Sequence, residues 1–232
     1  MRQIFVDSRD RVAGTTTNFR IQLPETLTVD GRKHRARIDN LRIPLCVPTI
    51  QAGVNDTIQV QIGSNKYTAT IQAGNYDGPT LAGRIQGALA AVALGGWTVS
   101  YDISLLTMSI SCSNAFTIVG GTYAAILMAR PYTNTSNAYN FTYVSVLGVD
   151  VMYLSSPEFN TLDCIGPGGS HDTLMCAVVT QPFGAVLDVS MPYDCWITVP
   201  QMTTQSLSFS LRDRSYNVIA QVANISFVMT ID

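Results

Sequence analysis

Three consecutive residues, Ser170-His171-Asp172, are of the types that make up a hydrolase catalytic triad. In a working triad the base must contact both of its partners, and the three residues come from well-separated positions in the chain. Consecutive residues do not meet that condition, and no nucleophile turn or set of oxyanion donors is evident around them. We therefore expect His171 to be an exposed loop histidine and Cys176 to be a small hydrophobic strand residue. A hydrolase would depend on His171 alone, so we expect no enzymatic activity.

A glycine-rich run, Gly166-Pro167-Gly168-Gly169, could in principle cradle a phosphate. A phosphate-binding loop needs a strand before it, a helix after it and usually a lysine, whereas the segment that follows this run has a strand pattern. We expect an exposed, flexible loop that includes Gly166, Gly168, Gly169 and His171. The two histidines are far apart, and no Asp/Glu cluster has ligand spacing, so we predict no catalytic, metal or cofactor site.

Basic residues are concentrated near the N-terminus. Nine of the fourteen Lys and Arg residues lie at or before Arg42. The candidate basic surface consists of Arg32, Lys33, Arg35, Arg37 and Arg42. On a strand, Lys33, Arg35 and Arg37 share one face, where they could meet nucleic acid or an acidic partner. The alternative is a solvated strand face, because Asp30 and Asp39 dilute the charge and no aromatic residue is interleaved.

The composition indicates a surface that is partly covered by other subunits. Only 13% of the 232 residues are charged and the net charge is -2, against roughly 25% charged residues in typical soluble domains. Five scattered cysteines without a C-x-x-C pair indicate reduced thiols in a cytosolic product. The longest apolar run, residues 88–94, is far shorter than a membrane span, and the N-terminus does not have the pattern of a secretory signal.

Alternating apolar residues at both ends of the chain predict a β-sandwich. The C-terminal part of the chain contains two strand patterns. The first alternates Leu207, Phe209 and Leu211 with serines, and the second covers residues 225–231. We predict that these two strands pair with each other around a polar turn, and that a second sheet covers their shared apolar face. Earlier strands are expected at residues 18–23, ended by Pro24, and at residues 33–43, with a break near Asn40.

The middle of the chain has a different rhythm. A hairpin is expected at residues 57–71, followed by a helix that starts at Pro79 or Thr80, by strands at 97–101, 106–112 and 116–119, and by a short helix at 123–128. Residues 131–139 are polar and are expected to form a loop. The predicted fold is all-β: one antiparallel jelly-roll sandwich over residues 1–232, with a small α+β insertion at about 57–128.

Four stretches, in this order, resemble a known family. They are FVDSRD near the N-terminus, RIDNLRIP with its Ile43-Pro44 step, AGNYDGPTLAGRIQGAL, and the ending LSFSLRD…NISFVMTI. Together they span nearly the whole chain. The sequence is similar to the penton, or five-fold vertex, proteins of large icosahedral double-stranded DNA viruses, including algal giant viruses, virophages and Polinton-type elements.

The resemblance implies a structural virion protein. It implies a single jelly roll that forms a homopentamer at each capsid vertex, beside double-jelly-roll major capsid proteins and other minor capsid proteins. Weak contact with the genome or an inner membrane would follow, with no small-molecule substrate, and assembly would take place in the host cytoplasm. The alternative is a non-catalytic binding module, such as a lectin-like or host-attachment sandwich. That alternative would use an exposed aromatic cluster, for which Tyr132, Tyr139 and Tyr143 are the candidates.

Overall fold

A computed structural model describes residues 1–30, 34–123, 135–142, 144, 146, 148–160, 163–192, 194–220 and 223–232. The chain divides into two compact units. Met1–Val47 and Val149–Asp232 together form the first, which we call the sandwich unit, and Pro48–Gly148 forms the second, which we call the inserted unit. The assignment of one domain with an insertion at 57–128 stays a prediction, and the inserted unit has wider bounds than that segment.

Strands account for most of the regular structure. In chain order they are β1 (Arg2–Asp7), β2 (Ala13–Gly14), β3 (Asn18–Val29), β4 (Arg35–Pro44), β5 (Thr57–Ile62), β6 (Asn65–Thr70), β7 (Thr98–Asp102), β8 (Thr107–Gly120), β9 (Ser136–Phe141), β10 (Val151–Ser155), β11 (Thr173–Val178), β12 (Val186–Ser190), β13 (Ile197–Thr198), β14 (Met202–Arg212) and β15 (Ser226–Ile231). One α-helix, α1 (Gly78–Val92), lies between β6 and β7.

The sandwich unit has jelly-roll connectivity. One sheet has the order β1-β15-β4-β12, with β13 also paired to β4, and the other has the order β11-β10-β14-β3-β2. All of these pairs are antiparallel. Early strands pair with late strands in both sheets, as β1 pairs with β15 and β3 with β14. The predicted all-β antiparallel jelly-roll sandwich is therefore confirmed.

The two C-terminal strands do not pair with each other, which corrects the prediction of a hairpin. β14 lies in one sheet and β15 in the other. Their apolar faces meet across the core, where the rings of Phe209 and Phe227 pack edge to face with centroids 4.9 Å apart. Phe19 on β3 packs against Phe209 from the same sheet as β14, at 5.8 Å. Each alternating strand thus buries its apolar face against the other, and the connection between them crosses from sheet to sheet.

Pro24 does not end its strand, contrary to the expectation from sequence. β3 continues to Val29 because its pairing with β14 shifts register around the proline. Gln22 pairs with Ser206 and Leu27 with Thr204, so residues 23–26 bulge out opposite a single residue of β14. A bulge needs no ladder hydrogen bond from the proline nitrogen, which is why the strand tolerates it.

A second bulge explains the predicted break near Asn40. β15 pairs Val228 with Asn40 but Met229 with Ile38, so Asp39 is the extra residue in β4. The bulge resets the alternation, and Ile38 and Leu41 are both fully buried although they lie three positions apart. The break is confirmed, and it keeps the apolar side chains on the core face along the whole of β4.

The inserted unit is a sheet covered by the helix. Its strand order is β6-β5-β8-β7, and β9 also pairs with β8. Asp77 caps α1 by accepting a hydrogen bond from the Thr80 backbone N–H at 2.8 Å, and Leu81, Ile85 and Leu89 are fully buried. The predicted helix is therefore confirmed, with a start at Gly78.

Two details of the inserted unit differ from the sequence-based expectations. The strand predicted at 116–119 is the end of one long strand, β8. Residues 136–139, expected to be a loop, belong to β9, since Tyr139 pairs with Ile110 on β8. Most of the short helix predicted at 123–128 lies outside the described residues.

A chain of aromatic rings forms the centre of the inserted unit. Trp97 packs edge to face on Phe116 at 4.9 Å, and Phe116 packs on Tyr139 at 5.0 Å. The polar ends of the outer two rings are satisfied, because Trp97 Nε1 donates to Ala93 O at 3.0 Å and the Tyr139 hydroxyl donates to Phe116 O at 2.9 Å. Buried aromatic groups with satisfied polar ends give this unit a core of its own.

Candidate functional site

The Ser170-His171-Asp172 run does not form a triad in space. The side chains of the three residues have different partners: Nδ1 of His171 lies 3.0 Å from Cys164 O, and the Asp172 carboxylate accepts a hydrogen bond from the Tyr216 hydroxyl. The Ser170 hydroxyl is 3.4 Å from that of Thr173. Because a backbone carbonyl only accepts, Nδ1 of His171 carries the proton in this contact. These side chains fix the loop and are not arranged for nucleophilic attack.

The glycine run forms a closed turn. Pro167–Gly169 is one turn of 3-10 helix, Gly166 N donates to Ser170 O at 2.7 Å, and β11 follows. Gly168 and Gly169 are exposed, while Gly166 and His171 are half-buried. A side chain at Gly166 would place its Cβ 2.1 Å from the Thr173 hydroxyl, so close packing requires glycine there. With no helix after it, the turn lacks the geometry of a phosphate cradle.

The candidate basic surface is only partly described, since Arg32 and Lys33 lie outside the described residues. Arg37 Nε is 2.5 Å from Asp39 Oδ1, and the other carboxylate oxygen of Asp39 accepts a hydrogen bond from Thr230. Arg42 lies 3.6 Å from Asp188 on the neighbouring strand, an exposed ion pair. Two of the three described arginines thus have acidic partners within their own sheet, which reduces the field that a polyanion would feel.

Trp196 adds an aromatic platform that the sequence pattern did not reveal. The guanidinium of Arg37 lies 4.6 Å from the centre of the Trp196 ring, and that of Arg35 lies 5.6 Å away. Trp196 precedes β13, which pairs with β4 at Ala36, and this pairing brings the indole over the arginines. The residues are about 160 positions apart, so no local spacing could predict the contact.

The aromatic cluster expected for a binding module is not formed by its described member. Tyr139 is a core residue, only 5% exposed. Tyr132 and Tyr143 lie outside the described residues. The binding-module alternative is therefore not favoured.

An open groove runs along the free edge of β1. It has a volume of about 520 Å³ and lies between β1 and the part of β3 that follows its pairing with β2. Its apolar lining includes Ile4, Val6 and Leu23. Phe5 stands at the groove and is 75% exposed. The sequence contains a signal for this exposed apolar residue. Ile4, Phe5 and Val6 are all apolar, so on a strand Phe5 lies on the face opposite to its two neighbours.

The hairpin between β7 and β8 exposes a second apolar feature. At its tip Ile103 is 72% exposed and Leu105 is 69% exposed. Asp102 holds the tip, as its carboxylate accepts from the backbone N–H groups of Ser104 and Leu105 at 2.8 and 3.2 Å. Leu106 has φ +53°, a left-handed conformation that favours glycine or asparagine.

Replacing Leu106 by asparagine is expected to stabilise the inserted unit. Leucine in the left-handed region costs roughly 1 kcal/mol, which asparagine largely avoids. We expect Leu106→Asn to raise the free energy of unfolding by about 0.5–1 kcal/mol in urea denaturation. Leu105→Asn, also exposed but without positive φ, is the control and should change it by less than about 0.5 kcal/mol. Destabilisation by Leu106→Asn alone would show that the leucine side chain makes a needed contact.

All five cysteines are free thiols with different exposure. Cys176 and Cys195 are exposed, Cys112 is buried, and Cys46 and Cys164 are intermediate. Burial, and secondarily the charge of Asp172, raises the pKa of the Cys164 thiol above its ordinary value. Within the described residues, no three His, Cys, Asp or Glu side chains converge in a group that could hold a metal ion.

Thiol labelling should follow the order of exposure of the cysteines. Because the thiolate is the reacting form, the raised pKa lowers the reactive fraction of Cys164 at neutral pH. A maleimide followed by peptide mass spectrometry should modify Cys176 and Cys195 before Cys164, and Cys112 last. Because its pKa is raised, the Cys164 rate should keep rising as the pH passes the ordinary range of a thiol pKa. Labelling of Cys164 first, at neutral pH, would contradict this assignment.

No helix in the described part of the chain is both long and apolar enough to cross a bilayer.

Sequence comparison finds no relatives: neither a family model nor a curated protein matches the chain. Structure comparison finds similar solved structures. A crystal structure of the mavirus penton protein matches with a TM-score of 0.55 and 9% identity, over 100% of this chain and 99% of that chain. A cryo-EM structure of the Sputnik virophage matches with a TM-score of 0.42 and 10% identity, over 99% of this chain and 97% of that chain. The chain has the fold of the mavirus penton protein along its entire length.

Proposed function

We propose that this chain is a structural subunit of an icosahedral virion, and that five copies form a ring at each five-fold vertex. The observation that carries the proposal is the full-length likeness to the mavirus penton protein, with a TM-score of 0.55. The jelly roll provides flat sides suited to packing around an axis, and a ring of identical subunits needs a head-to-tail interface. A chain with 13% charged residues suits a subunit covered by neighbours.

The proposed partners are other copies of the chain, double-jelly-roll major capsid proteins and further minor capsid proteins. Weak contact with the genome or an inner membrane is a further part of the proposal. The role is geometric and non-catalytic, with no small-molecule substrate. The protein would reside at the capsid vertex after assembly in the host cytoplasm.

We assign the basic residues of β4 to an inward or inter-subunit surface. Arg35 suits a test because it is exposed and the described contact of its guanidinium is the one with the Trp196 ring. Arg37 does not, because a carboxylate there would face Asp39 at close range. Arg35→Glu should lower incorporation into particles several-fold, whereas Arg20→Glu, on the opposite sheet, should not. Equal incorporation of both variants would remove β4 from the interface.

We assign the loop around Gly168 and Gly169 to the outer surface of the particle, where partners could reach it. Both glycines are exposed, and the turn lies between β10 and β11 in the chain. Limited proteolysis of intact particles should cut at this loop. Complete protection in particles, together with cleavage of the free protein, would place the loop at a buried contact.

The oligomeric state in solution tests the proposed ring. Light scattering of the purified protein, alone and with a major capsid protein, should give a mass near five times 25.1 kDa or a five-fold complex. A protein that stays monomeric in both conditions would contradict the proposal.

A further inference from the structure

The free edge of β1 presents unused main-chain hydrogen-bonding groups. Ser8 N donates to Ile225 O at 2.9 Å, and the register of β1 and β15 runs without a shift from there to Arg2. Antiparallel pairs alternate between bonded and non-bonded positions, so Ile4 and Val6 bond to β15. The N–H and C=O groups of Gln3, Phe5 and Asp7 therefore point away from β15. Among the described residues, no strand pairs with β1 on that side.

A row of this kind recognises an extended polypeptide. A strand added to a sheet edge gains affinity from main-chain hydrogen bonds, and the adjacent groove receives its side chains. The groove beside β1 has room for such a strand, with a volume of about 520 Å³. Its floor is apolar, so the added strand would close the side on which the sandwich is open.

The carboxylates that line the groove outnumber its guanidinium, which favours a basic partner. Its lining contains three carboxylates, Asp7, Asp10 and Glu25, and one guanidinium, Arg2. Arg9 bonds to Asp7 at 2.6 Å and Arg2 lies 3.4 Å from Glu25, so one carboxylate remains in excess. An added strand should therefore carry a positive charge and no acidic residue.

One free strand edge of the described chain has this composition. β6, with sequence NKYTAT, lies at the edge of its sheet, and its one charged residue is Lys66. Ile71 N bonds to Asp56 O at 2.7 Å, which sets the alternation so that Lys66, Thr68 and Thr70 direct their main-chain groups outward. The other described edge strands, β2, β7, β9, β11, β12 and β13, carry either an acidic residue or no charge.

We propose that β6 of one copy adds to the free edge of β1 in a second copy. Both strands have six residues, both have outward main-chain groups, and Lys66 supplies the charge that the groove lacks. The contact joins different surfaces of two copies, so it is heterologous and can close a ring. The inference rests on the proposed function in this respect, because it supplies the contact between subunits that a vertex ring requires.

Proline substitutions test the pairing without removing a ladder bond. Gln3→Pro and Thr68→Pro each delete an N–H that faces the open edge, so the fold should be retained. Each should raise the dissociation constant for self-association about tenfold or more, measured by sedimentation equilibrium. Lys66→Glu should act in the same direction. The matched control is Ser190→Pro on β12, which lies at the opposite edge of the same sheet. Leu45 N bonds to Ala185 O, and the alternation from that bond along β12 makes the Ser190 N–H point away from β4 as well.

The outcomes separate this contact from the proposed function. Weaker association of both β1 and β6 variants, with Ser190→Pro unchanged, supports the proposal. Unchanged association of Gln3→Pro and Thr68→Pro overturns it and leaves the vertex role intact. Wild-type protein that stays monomeric at the highest soluble concentration also overturns it, and the vertex role is then judged by incorporation with the major capsid protein. Circular dichroism of each variant confirms that the fold is retained.

Discussion

Phe209→Ala should destabilise the sandwich unit by about 3–5 kcal/mol, the range expected for removal of a buried aromatic ring. The ring packs 4.9 Å from that of Phe227 in the facing sheet and 5.8 Å from that of Phe19 in its own sheet. Its loss leaves a cavity at the contact between β14 and β15. Urea denaturation followed by Trp196 fluorescence, in a Trp97→Phe background, would measure the change in the free energy of unfolding.

The same substitution at an exposed phenylalanine provides the control. Phe5 is 75% exposed, so Phe5→Ala should change the free energy of unfolding by less than about 0.5 kcal/mol. If Phe209→Ala cost no more than Phe5→Ala, β14 and β15 would not face each other across the core, and the jelly-roll arrangement would be wrong.

Phe116→Ala should have a comparable effect on the inserted unit, about 3–5 kcal/mol. Phe116 is fully buried and its ring joins those of Trp97 and Tyr139, at 4.9 and 5.0 Å. Its removal deprives both neighbours of an edge-to-face partner as well as opening a cavity. The measurement is denaturation followed by Trp97 fluorescence in a Trp196→Phe background.

Phe116→Leu is the matched control, because it keeps most of the buried volume and loses only the aromatic geometry. It should cost clearly less than Phe116→Ala. Equal losses for the two variants would mean that ring packing, and not filled volume, determines stability here. A loss below about 1 kcal/mol for Phe116→Ala would contradict the aromatic core.

Periodicity predicted the parts of this fold that depend on local sequence. Alternation identified the β-sandwich, and the spacing of Leu81, Ile85 and Leu89 identified the helix that Asp77 caps. The break near Asn40 could be recognised because a bulge disturbs the alternation in the strand that contains it. In each case the residues that determine the structure are neighbours in the chain.

Sequence reasoning failed where distant partners decide the structure. Pro24 is tolerated because of the register of β14, nearly 200 residues away. The last two strands alternate equally well as a hairpin or as facing strands, and only β3 and β4 decide between those arrangements. The polar neighbours of Tyr139 predict a loop, whereas the structure pairs this residue with Ile110 on β8.

The candidate interaction surfaces also depend partly on local sequence and partly on residues that are distant in the chain. Spacing predicts that Arg35 and Arg37 share a strand face, but their contact with the Trp196 indole depends on the pairing of β13 with β4. The open edge of β1 is a property of the sheet order, which no single strand encodes. The apolar residue Phe5, on the face opposite to Ile4 and Val6, is the local sequence feature that accompanies this open edge.

The most direct test of the proposed vertex role is an electron cryo-microscopy reconstruction of particles assembled from this chain and a double-jelly-roll major capsid protein. We predict five copies at each five-fold vertex, each fitted by the two sheets β1-β15-β4-β12 and β11-β10-β14-β3. Vertices that close without this chain, or density for it only away from the five-fold axes, would contradict the vertex role.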